Sequence, residues 1–348
     1  MTDTLRDLFH IDLPIFQAPM AGVSTPALAA AVSKAGGLGA LGLGAATDAG
    51  ARQMVQELQA LTDRPINLNF FCHEAAQRDS AKESAWIDRT RPLFAEYGAE
   101  PPTPLEEIYP SFRADDRQLA IVLDTRPAVA SFHFGLPKPD QISAMKQAGI
   151  TLTATATSLA EAHQIAAAGF DAIIAQGWQA GGHRGIFDPF GPDERLPTWD
   201  LLKQLVGATS LPVIAAGGIM TGADVRHALS LGAVAAQLGT AFVGCPETSA
   251  DGAYRARLPL GGTQMTSVIS GRPARCLTNR FTDWGQEVTP DHIPAYPCTY
   301  DLGKSLNAAA KAKGETGFGA QWAGDGAARV RPMPAAELMA LLIAELVV

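Results

Sequence analysis

The stretch best suited to chemistry is GWQAGGHRG, Gly177 to Gly185. It follows an apolar run, Asp171 to Ala175, that reads as a buried strand. A strand ending in glycines and one imidazole places a titratable group where backbone can approach a ligand, because glycine has no Cβ and tolerates positive φ. A lone histidine is more often a satisfied structural residue, and the chain carries six others. The glycine-rich strand end and the motifs elsewhere single out His183. An imidazole with pKa near neutral removes or shares a proton at physiological pH. His133, in SFHFG at another strand end, ranks second and either orients a substrate or packs.

Two further stretches suit phosphate. AAGGIMTG, Ala215 to Gly222, and QLGTAF, Gln237 to Phe242, lie one strand–helix unit apart. In a parallel barrel the loops after the seventh and eighth strands, with a helix N-terminus, cradle phosphate. Backbone N–H groups of Gly217, Gly218, Gly239 and Thr240 would do this, with the Thr240 hydroxyl as a further donor; otherwise these glycines only permit tight turns. Asn69 and Gln176 end other strands. Their amides donate and accept, which suits the edge of a flavin or purine, though either can equally tie down a loop. Gln17 to Met20, which includes Ala18 and Pro19, would supply backbone and an apolar face beneath such a ring. No HxH pair, metal-spaced carboxylate cluster or GxSxG elbow is present. Cys72 and His73 are adjacent, so in a strand they point to opposite faces.

The elements that must position these residues alternate. Apolar runs begin near Pro14, Leu38, Ile66, Val129, Thr151, Ala172, Val213 and Ala235, most followed by a helix-like stretch. Thr25-Pro26 is a helix start, a hydroxyl cap followed by proline. Eight strand–helix units at this length predict an α/β fold, a closed TIM (β/α)8 barrel. An open doubly wound sheet is less consistent, because GxGxxG is absent after the first strand. Residues 1–246 read as the barrel, with a charged, proline-bearing excursion at about 72–119. Residues 247–317 read as a smaller, mainly helical cap over the mouth. Residues 318–348 read as a segment packing back on the barrel through a helix, Pro334 to Val347, apolar nearly all round.

Composition sets bounds. The chain has 348 residues, 47% hydrophobic and 18% charged, with net charge −8. That argues against a broad nucleic-acid or anionic-membrane surface, and leaves anionic ligands open, since a glycine loop binds phosphate without net positive charge. Four cysteines without a CxxC pair read as reduced thiols. No apolar run reaches membrane-spanning length and the N-terminus does not read as a signal peptide, so the expectation is a cytoplasmic protein, monomer or homodimer.

The segments PIFQAPMAGVSTPALAAAVSKAGGLGALG, GWQAGGHRG and AAGGIMTGADVRHALSLGAVAAQLGTAF resemble the nitronate monooxygenases, once called 2-nitropropane dioxygenases. QWAGDGA, from Gln321, also fits. The resemblance implies non-covalent FMN contacting Ala18, Pro19, Met20, Asn69, Gln176, Gly181, Gly182, Gly217, Gly218, Gln237, Leu238, Gly239 and Thr240. It implies oxidation of an alkyl nitronate with O2 to a carbonyl compound and nitrite. His183 would take the α-proton of a neutral nitroalkane, or hydrogen-bond the nitro group of a nitronate. The FMN-dependent enoyl-acyl-carrier-protein reductases share the APMAG opening and a GGH loop, and an NAD(P)H-driven reductase is the alternative. TLTATATS, ending the fifth strand, lacks the lysine that some members carry there.

Overall fold

The computed structural model describes residues 2–347. Its strands, in chain order, are β1 (Ile15–Gln17), β2 (Gly39–Gly42), β3 (Ile66–Phe71), β4 (Val129–His133), β5 (Thr151–Ala156), β6 (Ala172–Gln176), β7 (Gly182–His183), β8 (Val213–Ala216), β9 (Ala235–Leu238), β10 (Thr263–Thr266) and β11 (Ala274–Leu277). Eight of them form one parallel sheet in the order β1-β9-β8-β6-β5-β4-β3-β2. A parallel bridge between Phe16 and Leu38 joins its two edges and closes a barrel. Gln17 N–H donates to Leu38 O at 2.9 Å and Leu38 N–H to Ile15 O at 3.0 Å across that seam. Closure leaves no sheet edge to be solvated.

Side chains alternate across each strand, and this parity sorts the sequence into two cores. Phe16, Leu38, Val129, Ala172, Ile174, Ile214, Ala216 and Ala235 meet inside the barrel. The N-terminal helix Thr2–Phe9 plugs this interior with Leu5 and Phe9, whose ring centroid lies 5.0 Å from that of Phe16. The alternate residues Ala130, Phe132, Leu152, Ala154, Ile173, Ala175 and Leu238 face the outer helices in a larger core. The inward rows therefore end, at the carboxyl rim, in Asn69, His133, Thr155, Gln176 and Gln237.

Helix starts follow their caps. Thr25 Oγ1 accepts Leu28 N–H at 3.1 Å, with Pro26 at the first helical position. Thr221 and Asp224 form a reciprocal capping box on the helix Gly222–Ser230.

The excursion and residues 247–317 share a further hydrophobic core. Trp86, Ile87 and Phe94, from the helix Ser80–Ala95, pack with Phe281, Leu302 and Leu306, and Phe318 of the following segment joins them. The segment after the barrel is more mixed than the helical reading of it. Besides helices at Gly252–Arg257, Arg280–Trp284 and Cys298–Lys311, it contains β10 and β11, which pair antiparallel. β11 also pairs with β7, setting Ala274 opposite His183. The last helix, Ala335–Val347, docks on the barrel helices Gly222–Ser230 and Pro26–Lys34. Only one of its faces is buried, through Ala335, Leu338, Met339 and Leu342. All four cysteines are buried and unpaired. Among the described residues no helix is long and apolar enough to cross a membrane.

Candidate active site

A cavity of about 800 Å³ opens at the carboxyl rim of the barrel. This volume is in the range of small-molecule and cofactor sites. The structure brings His183, His133 and nearly every cofactor candidate to its wall: Ala18, Pro19, Met20, Asn69, Gln176, Gly181, Gly182, Gly217, Gly218, Gln237, Gly239 and Thr240. Leu238 is the exception. Strand parity turns its side chain into the outer core, and its carbonyl accepts Ala18 N–H at 2.8 Å.

Gly217 and Gly218 have φ of +122° and +70°, in the left-handed region that side chains disfavour. Among the described residues, no backbone carbonyl accepts the N–H groups of Gly217, Gly218 or Gly239. Thr240 Oγ1 accepts Gly324 N–H at 3.0 Å, leaving its own proton to donate. Arg329 donates to Gly218 O at 2.6 Å and pairs with Asp224 at 2.9 Å, bringing a guanidinium beside this cradle. Gly217 also lacks room for a Cβ, which would lie 2.7 Å from Thr198 Oγ1, and two glycines beside His183 are equally confined. A Cβ on Gly181 would lie 2.4 Å from Gly324 N, and one on Gly185 would lie 2.8 Å from His133 Cε1. Gly181 thus makes room for the 323–324 backbone.

Gln176 is spent on the same loop. Its Nε2 donates to His183 O at 3.0 Å and its Oε1 accepts Gly185 N–H at 2.7 Å. Asn69 donates to Ser131 O at 3.1 Å and to Ser131 Oγ at 2.9 Å. Gln237 Oε1 is buried without a partner among the described residues. Arg184, 2% exposed, fixes the loop further through Asp193 and Gln176 O.

His133 touches the cavity but acts on its neighbour. Its Nε2 lies 3.1 Å from His183 O, and a carbonyl only accepts, so the proton sits on Nε2. Its Nδ1, 3.0 Å from Thr155 Oγ1, then accepts from that hydroxyl. His183 itself meets Ser270 Oγ through Nε2 at 2.9 Å, and Ser270 Oγ donates to Arg272 O at 3.2 Å. The imidazole proton is thereby placed on Nε2, and Nδ1 is the basic nitrogen. Phe134, Tyr296, Tyr300 and Trp322 surround the ring at centroid separations of 5.5, 5.7, 5.9 and 5.0 Å. The ring also lines the cavity. Burial first, then the neighbouring His133 and Arg272, lower its pKa to about 3. Burial likewise holds His133 at about 4. Both rings are neutral at physiological pH.

Several wall residues lie outside the sequence motifs. Tyr300, Lys304, Asn307 and Lys311 project from one face of the helix Cys298–Lys311. Their i, i+4, i+7, i+11 spacing is the signal by which they could be found. Lys304 Nζ donates to Tyr109 Oη at 2.8 Å. Tyr109, on the wall, and Ser270, behind His183, belong to segments with no periodic cue, while Trp322 lies in QWAGDGA.

Barrel, carboxyl-rim cavity, glycine cradle and neutral histidine together define a (β/α)8-barrel protein with a small-molecule site at its carboxyl rim. Residues 2–345 match the family described as Nitronate monooxygenase, and the chain belongs to that family. It is 57% identical over 346 residues to a protein of Paraburkholderia phytofirmans named "Nitronate monooxygenase", covering 98% of this chain and 94% of that relative. A Pseudomonas aeruginosa protein of the same name is 51% identical, with 99% of each chain covered. Among solved structures, nitroalkane oxidase from Streptomyces ansochromogenes is similar, with TM-score 0.89, 40% identity, and coverage of 99% of this chain and 97% of that one. The family is flavin-dependent.

Proposed function

We propose that the chain binds FMN in this cavity and oxidises alkyl nitronates with dioxygen, giving a carbonyl compound and nitrite. The family match favours this over the enoyl-thioester reductase reading. The observation that carries the site assignment is that His183, neutral and fixed in one tautomer, shares a cavity with an unfilled set of backbone donors.

The residues fit the cofactor. Gly217, Gly218 and Gly239 offer free N–H groups where a phosphate would lie, with the Thr240 hydroxyl beside them. The orphaned Gln237 Oε1 awaits a donor such as a flavin ring N–H. Ala18, Pro19 and Met20 supply the apolar face. When bound, FMN supplies the redox chemistry, taking electrons from the nitronate and passing them to O2.

The chain's own task is position and proton control. His183 Nδ1 is the base toward a neutral nitroalkane. A ring held near pKa 3 is a weak base, however, so the site favours a substrate whose α-proton has already left. Residues 247–317, carrying Tyr300 and Lys304 over the mouth, act as the cap that limits water.

An anaerobic absorbance spectrum of the purified protein, before and after propionate 3-nitronate, tests the reading. The expected result is a flavin spectrum that bleaches with the nitronate. A flavin that ignores the nitronate but bleaches with NADH would instead make the chain a reductase, and a colourless protein that fails to bind added FMN would remove the cofactor assignment.

A further inference from the structure

Arg272 is a buried cation that the proposed chemistry leaves unused. It is 3% exposed, lies between β10 and β11, and forms no ion pair among the described residues. Its guanidinium carbon sits 4.2 Å above the Phe134 ring. That ring lies 4.6 Å from His133 and 5.5 Å from His183, centroid to centroid. The cation is thus one aromatic ring behind both histidines. Its Nε has no hydrogen-bond partner among the described residues, while its Nη2 donates to Ile186 O. The N–H of that same peptide unit, on Phe187, donates to Glu161 at 2.7 Å. A single peptide therefore separates a buried guanidinium from a buried carboxylate, its carbonyl toward the cation and its N–H toward the anion. A cation taken out of water carries a large desolvation cost, and only part of it is offset through this bridge.

We propose that Arg272 is a positioning residue for anion selectivity: fixed behind His183, it makes the inner cavity electropositive and favours a nitronate over the neutral nitroalkane. This rests on the nitronate reading of the site. Charges in a water-poor interior act across such distances, because little solvent lies between them to screen them. The neighbouring groups respond consistently. Besides burial, the Arg272 charge lowers the pKa of His73, His133 and His183 alike. The titratable groups facing His183 are His133, Arg272, Tyr296 and Tyr300. Of these, only the guanidinium is charged at neutral pH. Lys304 is the competing cation, but it is exposed at the outer wall.

The test uses the flavin-loaded protein and two probes at constant ionic strength: nitrate, a planar monoanion that cannot be oxidised there, and nitroethane, which is neutral. Calorimetry reads each Kd. In Arg272→Met, nitrate binding should weaken roughly ten-fold while nitroethane binding stays within a few-fold. Arg272→Lys should retain most of the nitrate affinity. Glu161→Gln removes the anion beyond the peptide, so nitrate should bind tighter; a merely structural bridge would instead weaken binding in both variants. Should Arg272→Met fail to fold, the Lys and Glu161 variants still decide. Equal loss for both probes, or nitrate affinity that follows Lys304→Met and ignores Arg272, would overturn the proposal. Nitrate binding is read apart from turnover. A protein that binds nitrate through Arg272 but leaves propionate 3-nitronate unoxidised would lose the functional reading and keep the charge assignment.

Discussion

At the scale of single residues, the site turns on one imidazole and two glycines. His183 is neutral because burial disfavours its charged form and because His133 and Arg272 add to that cost. His183→Ala should keep bound flavin, since the glycine cradle belongs to other strands, and should lose roughly 10²–10⁴-fold in turnover of neutral nitroalkanes. Turnover of a nitronate should fall less, because its proton is already gone. Steady-state rates on both substrates check this, and undiminished nitroalkane turnover would remove the base assignment. Gly218 stands at φ +70°, and a Cβ placed there would lie only 3.1 Å from Gln179 Cβ. Gly218→Val therefore combines backbone strain with crowding against Gln179, and both would shift the N–H groups proposed to hold the phosphate. Flavin affinity, titrated by fluorescence on the flavin-stripped protein, should drop roughly ten-fold or more; an unchanged Kd would place the phosphate elsewhere.

At the scale of elements, the loop Gly177 to Gly185 lines the cavity on one side and is held by protein on the other. Gln176, Arg184 and His133 fix its backbone, and β11 pairs with it. Gly181 admits the 323–324 backbone, so Gly181→Ala should destabilise the fold by about 1–3 kcal/mol, as overpacking does. Thermal unfolding would register this, and a variant as stable as the parent would show that the segment yields freely. The same loop shows what is legible in sequence. Strand runs and glycine ends locate the cavity, because a parallel barrel puts every strand terminus on one rim. A period of two then decides which residues face inward, and it separates Leu238 from Gln237 although the two share one motif. Contacts between distant segments leave no such mark. The pairing of β11 with β7, the core shared by Trp86 and Phe281, and the plug formed by Phe9 depend on residues brought together only by the completed fold. Tyr300 and Lys304 are readable in principle as a helical stripe. Nothing local indicates which surface that stripe covers.

At the scale of the whole molecule, one buried and two half-buried histidines couple the site to stability. His73, His133 and His183 are held at about 4, 4 and 3, against an ordinary value of 6.5. The unfolded chain takes up protons near pH 6.5, whereas the folded chain resists them until about pH 4. Between those values the unfolded state binds more protons, so stability falls as pH falls, by up to about 1.4 kcal/mol per pH unit for each histidine. Above about pH 6.5 both states carry neutral rings and this contribution is flat. Glu161 works in the opposite sense, because burial raises its pKa and the folded carboxyl gains a proton first; it offsets part of the loss toward the acid end. Asp115, Asp193 and Asp251, each lowered, add acid sensitivity only below the ordinary carboxylate range. The midpoint of thermal unfolding should therefore be steady from about pH 7 to 8 and fall steeply from about pH 6.5 to 4.5. His73 lies against Tyr296, at a ring separation of 5.0 Å, and does not line the cavity, so His73→Phe removes one titrating ring while leaving the two site histidines. Its unfolding midpoint should fall less steeply over the same interval. A parent protein whose midpoint is level across that interval would mean that the three imidazoles are not held neutral.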